Sequence, residues 1–222
     1  VTLPDSEVLL YEKWLDLLLG EYDSAKQIVR VHSQRRDLKK VAMRLAFHLH
    51  QRQVRETTLD DIYGFVEELR EYKANPSWGK EIVDELIYPC NILIPMTDDG
   101  RLGFGHLRYQ EYLAALHLRE DRNISIPAYA AQHWWHGVFS LLAQMLDIDW
   151  LIEDLAMEGM LTECRETIDI IINARPKEER SGLREIIYRH MQIEKEDHIV
   201  IVGPEEQPAE EDWDTDQPLW RF

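Results

Sequence analysis

The residues of this 222-residue chain that could do acid–base or metal chemistry are its nine histidines and a large excess of carboxylates. His48 and His50 are two apart, which sends their rings to different sides of a helix and makes a poor metal pair. His133 and His136 are three apart and could share a face. No cysteine or carboxylate lies beside them in sequence, so the expectation is two histidines packed beside tryptophans, with no metal bound. Adjacent carboxylates such as Asp60-Asp61 and Glu67-Glu68 could share a proton, but in so acidic a chain they read as solvated helix faces. Nothing here cradles a phosphate. After Gly79-Lys80 comes Glu81 where a phosphate loop needs Ser or Thr, and Ala74 stands in the first glycine's place. There is no Gly-x-Ser-x-Gly elbow and no His-Glu-x-x-His helix. No catalytic residue, and no cofactor held by this chain alone, is expected.

One histidine stands apart. His106 lies at the junction of a short apolar-and-glycine run and a helix, in the stretch LGFGHLRYQEYLAALHL over residues 102–118. Tyr109, Tyr112, Leu113 and Leu116 follow at three- and four-residue spacing, a single stripe on a 3.6-residue period. Ala114 and Ala115 leave room for a neighbouring element. From the residues alone His106 either does chemistry at the helix start or caps it.

The elements that would position it are mostly helical. Asp5 or Ser6 caps a first helix carrying Val8, Leu9, Trp14, Leu15, Leu18 and Leu19, with Gly20 as its stop. The pattern weakens over residues 24–36. Asp37 then caps a helix that buries Leu38, Val41, Leu45 and Leu49. Thr57 or Thr58 starts a third, with Leu59, Ile62, Phe65, Val66 and Leu69 inward and Asp60 and Asp61 at its positive end. Ser77 caps a fourth, which Pro89 ends. Ile92-Leu93-Ile94 and Leu102-Gly103-Phe104 flank Thr97-Asp98-Asp99-Gly100, and Asp-Gly is a strong hairpin dipeptide. Three helices followed by a hairpin is the order of a winged helix, with the 106–118 helix packed behind the wing. Beyond Pro127 a heavily apolar helix spans residues 134–146. Helices over 149–161, 162–174 and 181–191 follow with short links, which implies antiparallel neighbours. Residues 199–202 form a strand, and an acidic tail follows that could fold onto the basic stretch from Arg30 to Arg55. The fold class is mainly α: residues 1–36, a winged helix over 37–119, a helical domain over 120–193 and a tail over 194–222.

Composition narrows the partners. With 45% hydrophobic residues the chain has ample material for a core. It has no apolar run long enough for a transmembrane helix, so no membrane partner is expected. Its opening without Met or a signal segment reads as a piece of a longer protein, and two distant cysteines, Cys90 and Cys164, suit a cytoplasmic setting. A net charge of −17 disfavours nucleic acid, whose binding rests on Lys and Arg. The exception is the basic cluster Arg30, Arg35, Arg36, Lys39, Lys40, Arg44, Arg52 and Arg55. On a winged helix such a patch could meet DNA; otherwise it is a charged face or a dock for an acidic neighbour.

The segment Phe104-Gly105-His106-Leu107-Arg108-Tyr109-Gln110-Glu111-Tyr112-Leu113-Ala114-Ala115 resembles the Phe-x-His-x-x-x-Gln-Glu-(Phe/Tyr)-x-Ala-Ala signature of NACHT-type STAND ATPases, which include NOD-like receptors and bacterial antiviral sensors. Leu10-Tyr11-Glu12 and Leu45-Ala46 are similar to that family's flanking helices, so the resemblance covers about residues 8–118. It implies that residues 1–36 end a first helical domain. It also implies that His106 contacts the β-phosphate of ADP in the resting protein, clamping the winged helix onto a nucleotide-binding module. Gln110 and Glu111 would hold the helix against neighbouring backbone. The cofactors of the longer protein would be ATP or ADP with Mg, its active form an oligomer, and its setting antiviral innate immunity. The alternatives are a winged-helix DNA-binding regulator and a helical protein–protein scaffold.

Overall fold

A computed structural model describes residues 6–20, 31–73, 75–146 and 148–198. The strand expected at residues 199–202, the acidic tail and Arg30 lie outside them. Helix α1 (Glu7–Leu18) starts at Ser6, whose Oγ accepts the Leu9 N–H at 3.2 Å. Leu15 and Leu19 are buried. Leu9, expected inward, is exposed because it falls about 120° round the helix from Leu15. Helix α2 (Arg35–Gln51) begins two residues ahead of Asp37, which sits in its first turn rather than at its cap. The Glu85 carboxylate accepts the His32 and Ser33 N–H groups at 2.8 and 2.9 Å and fixes the entering backbone.

Strand β1 (Glu56–Thr57) precedes helix α3 (Leu59–Glu68), and Thr58 caps that helix by accepting the Asp61 N–H. Ile62 and Val66 are its fully buried pair. Helix α4 (Pro76–Ile87) has Asn75 at its cap position and Pro76 in its first turn. Ser77 does not cap it; its hydroxyl donates instead to Asn75 Oδ1 at 2.7 Å. Pro fits the first turn because its fixed φ suits a helix and its missing N–H has no intrahelical partner there.

Strands β2 (Ile94–Pro95) and β3 (Leu102–Gly103) form the expected hairpin, shorter than the apolar runs that flank the turn. The sheet order is β1-β3-β2, antiparallel throughout, with Glu56 and Ile94 both opposite Gly103. A Cβ on Gly103 would meet the Arg55 carbonyl oxygen at 2.4 Å, so only glycine lets the central strand sit this close. With helix α5 (Leu107–Glu120) behind the wing, the element order is that of a winged helix.

Helix α5 is the hub. It packs against α2 on one side and against helix α7 (His136–Met145) on another. Ala42 and Ala46 of α2 and Ala114 and Ala115 of α5 are all fully buried, so small side chains do lie between the closest helices. The apolar helix expected over 134–146 is in fact two pieces, a 3₁₀ turn (His133–Trp135) and α7, and a short helix α6 (Pro127–Ala130) precedes them. Helix α8 (Asp149–Met157) ends early because Gly159 takes φ +67°, and helix α9 (Arg165–Ala174) starts at Cys164 rather than Thr162. Helix α10 (Lys177–His198) begins directly after Pro176, and Ser181-Gly182 does not interrupt it. Buried Leu183 and Ile187 outweigh the roughly 1 kcal/mol a helical glycine costs. One connected apolar core runs from Leu15 to Ile187, and none of the described helices is long and apolar enough to cross a membrane.

Candidate functional site

Gly105 turns the chain out of β3 with φ +77°, where a Cβ would press on Ile94 at 3.1 Å. His106 follows in extended backbone (φ −126°, ψ 140°) as the N-cap of α5. Its Nδ1 accepts the Arg108 N–H at 3.1 Å, so the helix is capped by the ring itself. Nδ1 therefore carries no proton. In the neutral ring the proton sits on Nε2, and that N–H is a donor with no protein partner among the described residues. His106 is exposed. Capping and ligand contact thus use different nitrogens and do not compete.

The rings around it come from α1 and α5. Trp14 stacks on Tyr109 at 4.1 Å between centroids and 7° between planes, and Tyr11 meets Tyr109 edge-on at 5.5 Å. The His106 ring lies 6.1 Å from Tyr109. Leu10, Trp14 and Leu17 recur at i, i+4 and i+7 along α1. Leu10 is 48% and Leu17 55% exposed, so an apolar ridge beside the Trp14–Tyr109 stack is left open.

Arg108 secures this corner. Its guanidinium donates Nε–H to Glu7 Oε1 and a terminal N–H to Glu7 Oε2, both at 2.7 Å, the forked geometry of a strong Arg–carboxylate pair. The other terminal nitrogen donates to Glu111 Oε2 and to the Gly137 carbonyl, both at 3.0 Å. One side chain thus joins α1, α5 and α7. A Cβ on Gly137 would lie 2.2 Å from the Glu111 carboxyl, so the carboxyl occupies the space a side chain would take. The hydrogen bond from Arg108 holds Glu7 below the usual carboxylate range. Burial pushes Glu111 above it, against the opposing pull of Arg108.

Gln110, next in sequence to Tyr109, turns to the opposite side. Its amide donates to the Val54 carbonyl at 3.0 Å and faces His50 Nδ1 at 3.4 Å. The other nitrogen of His50 meets the Trp134 carbonyl at 3.1 Å, and Trp134 Nε1–H donates to the His50 carbonyl at 3.0 Å. His50 is fully buried, and burial lowers it to about 4, so it stays neutral. The sequence marked Gln110 and Glu111 as holding the helix against neighbouring backbone; Gln110 does so at the Val54 carbonyl, whereas Glu111 is bonded to the Arg108 side chain. The sequence reading missed the role of His50, which lies off the stripe of Leu38, Val41, Leu45 and Leu49, on the side of the helix that carries buried Met43 and Ala46.

The basic cluster is partly neutralised. Lys40 and Arg44 both pair with Glu71, and Arg35 pairs with Asp16. Burial works against the Glu71 charge, but hydrogen bonds from Arg44 and Lys40 prevail and hold it at about 2. The helix-turn-helix is itself acidic. Residues 59–88 carry eight carboxylates against three cations, and Lys80, on α4, is paired with Glu67 at 2.9 Å. Among the described residues no group of three His, Cys, Asp or Glu side chains is arranged to hold a metal.

The family described as "Winged helix-turn-helix domain C-terminal to NACHT" matches residues 8–118, half of the chain. The chain belongs to this family. The match spans α1 to α5, so the capped histidine and the open ridge on α1 lie within the winged-helix unit, while Arg108 reaches beyond the match to Glu7 and to the Gly137 carbonyl of α7. A winged helix of this family is not itself catalytic, and its name places a NACHT module on its N-terminal side. Comparison with curated proteins and with solved structures gives no match.

Proposed function

We propose that this chain is the regulatory winged helix of a NACHT-type switch ATPase, docking on the nucleotide-binding module of its own protein in the resting state. His106 contributes one donor, Nε2–H, to the β-phosphate of ADP. The observation that carries this reading is the division of labour on the His106 ring: Nδ1 is held by the helix start while Nε2–H faces out. A donor at a helix start also adds to a local field that favours anions. One donor does not make a nucleotide site, so the remaining phosphate contacts, and the Mg ion, belong to the NACHT module. The apolar ridge of Leu10, Trp14 and Leu17 lies on the same aromatic corner and gives the module a surface to cover. Exchange of ADP for ATP then weakens the contact and frees the winged helix to move, a two-state switch biased by ligand that leads to an oligomer. The cytoplasmic antiviral setting rests on resemblance of the motif.

The decisive experiment measures ADP retained by the purified NACHT-containing protein. His106→Ala removes both cap and donor, whereas His106→Ser restores a cap without the donor. Loss of ADP in both variants, with thermal stability recovered only in the Ser variant, supports the clamp. Retention equal to that of the parent in both variants overturns it. DNA binding is the weaker reading, because the helix that would enter a major groove presents Glu81 and Asp84. Salt-sensitive, sub-micromolar binding in an anisotropy titration would revive it.

A further inference from the structure

A second site lies in the turn that leads into α7. His133 and His136 are three residues apart in sequence, and the 3₁₀ turn His133–Trp135 decides what that spacing means. In such a turn residues i and i+3 eclipse rather than stagger. The two ring centroids are 4.6 Å apart, and the two Nδ1 atoms face each other at 2.9 Å. His133 is exposed and His136 half-buried, so solvent reaches the pair.

Without an ion, two Nδ1 atoms this close must share one proton. With both bare they form a chelate. Two nitrogens bound at about 2.1 Å to one ion stand roughly 3.0 Å apart at a right angle and about 3.4 Å apart at the tetrahedral angle. The observed separation is that of neighbouring positions around a tetragonal or octahedral ion, the geometry of Cu²⁺ and Ni²⁺. Glu166, in the first turn of α9, acts electrostatically on His136 and adds negative potential. The sequence alone argued against a metal here for want of a carboxylate partner; the fold brings Glu166, thirty residues on, into electrostatic reach of His136 without making it a ligand. No third side chain closes the site among the described residues, so water fills the remaining positions.

We propose that His133 and His136 form an open, two-nitrogen site for a late first-row divalent ion, with copper and nickel preferred to zinc. An ion there would pin the turn that carries Trp134, the residue that docks on His50 through both its carbonyl and its indole. It would therefore stiffen the joint between the winged helix and the helices after it.

The test is titration of the purified chain with CuCl₂, NiCl₂ and ZnCl₂ in a non-coordinating buffer. Calorimetry reads the stoichiometry, and the part of the copper quenching of tryptophan emission that is lost in Trp134→Phe reports on Trp134. The expected result is one saturable site in the order copper, nickel, zinc. It weakens by at least about tenfold in His133→Ala and in His136→Ala and is unchanged in His106→Ala. Titration of both histidine variants like the parent overturns the proposal, as does the lack of saturation below about 1 mM. His133 is exposed, so its variant retains the fold, checked by circular dichroism; it decides the matter alone if the His136 variant misfolds.

Discussion

Gln110 and Glu111 are neighbours in sequence, yet α5 sends them to two unlike assemblies. Gln110 enters a sealed, neutral set with His50, Val54 and Trp134. Glu111 enters a half-open, charged set with Arg108, Glu7 and the Gly137 carbonyl. The sealed set contains no group that changes charge near neutrality. The open one contains two carboxylates whose proton affinities have been moved in opposite directions. Two faces of one helix thus divide the work: one fixes α5 to the end of α2 through groups that stay neutral near neutrality, and the other binds α1 and α7 by charges that salt and acid can reach.

The strongest way to break this contrast is Arg108→Met. It leaves two carboxylates facing each other, and chemical denaturation should register a loss of about 2–4 kcal/mol, short of a fully buried pair because Glu7 is one-third exposed. Arg108→Lys should recover only part of this, since an ammonium cannot form the fork. On the neutral side, Gln110→Ala strips a partner from Val54 and His50 and should cost about 1–3 kcal/mol, with little dependence on salt. If both losses prove equally salt-sensitive, the contrast fails.

Acid should separate the two carboxylates next. Glu7 binds protons more weakly folded than unfolded, so its contribution is present above the ordinary carboxylate pKa and lost as pH falls through the lowered one. Glu111 is the reverse: its folded form is favoured when protonated, and that contribution is lost as pH rises through the raised value. Glu7→Gln should therefore destabilise more at neutral pH than at pH 4, and Glu111→Gln should steepen the loss of stability on acidification. Thermal melts of both variants across that range read the two slopes; parallel profiles would contradict the assignment. The smallest effect belongs to His106→Ala in the chain alone, about 0.5–1 kcal/mol for a lost cap. A larger drop in the melting experiment would mean the ring is part of the packing.

Much of this arrangement was legible beforehand. Asp99-Gly100 marked the hairpin, and the stripe from Tyr109 to Leu116 marked the helix behind it, because both signals are local. The segment around His106 marked the family. Strand β1 was not legible, since Glu56 and Thr57 have neither apolar character nor length and become a strand only by pairing with Leu102 and Gly103. The partnership of Glu7 with Arg108 spans most of the matched region and leaves no trace in spacing. The cap at His106 was one of two stated options, but which nitrogen makes it depends on a ring rotamer that no pattern encodes. The break at His133–Trp135 was hidden by the apolar run on either side of it.

The pairing of Glu56 and Thr57 with Gly103 and Leu102 also has a topological consequence. Every residue of α3, α4 and the hairpin tip enters and leaves through that one neck. The segment is thus a looped-out part of the chain, closed at its neck by a ladder two rungs wide and held along its side to α2 and the residues before it by Glu71, Glu85 and buried side chains. Changes at its far end, such as a cut or an insertion at Asp98-Asp99, should remain within the segment and spare the corner where α1 meets α5.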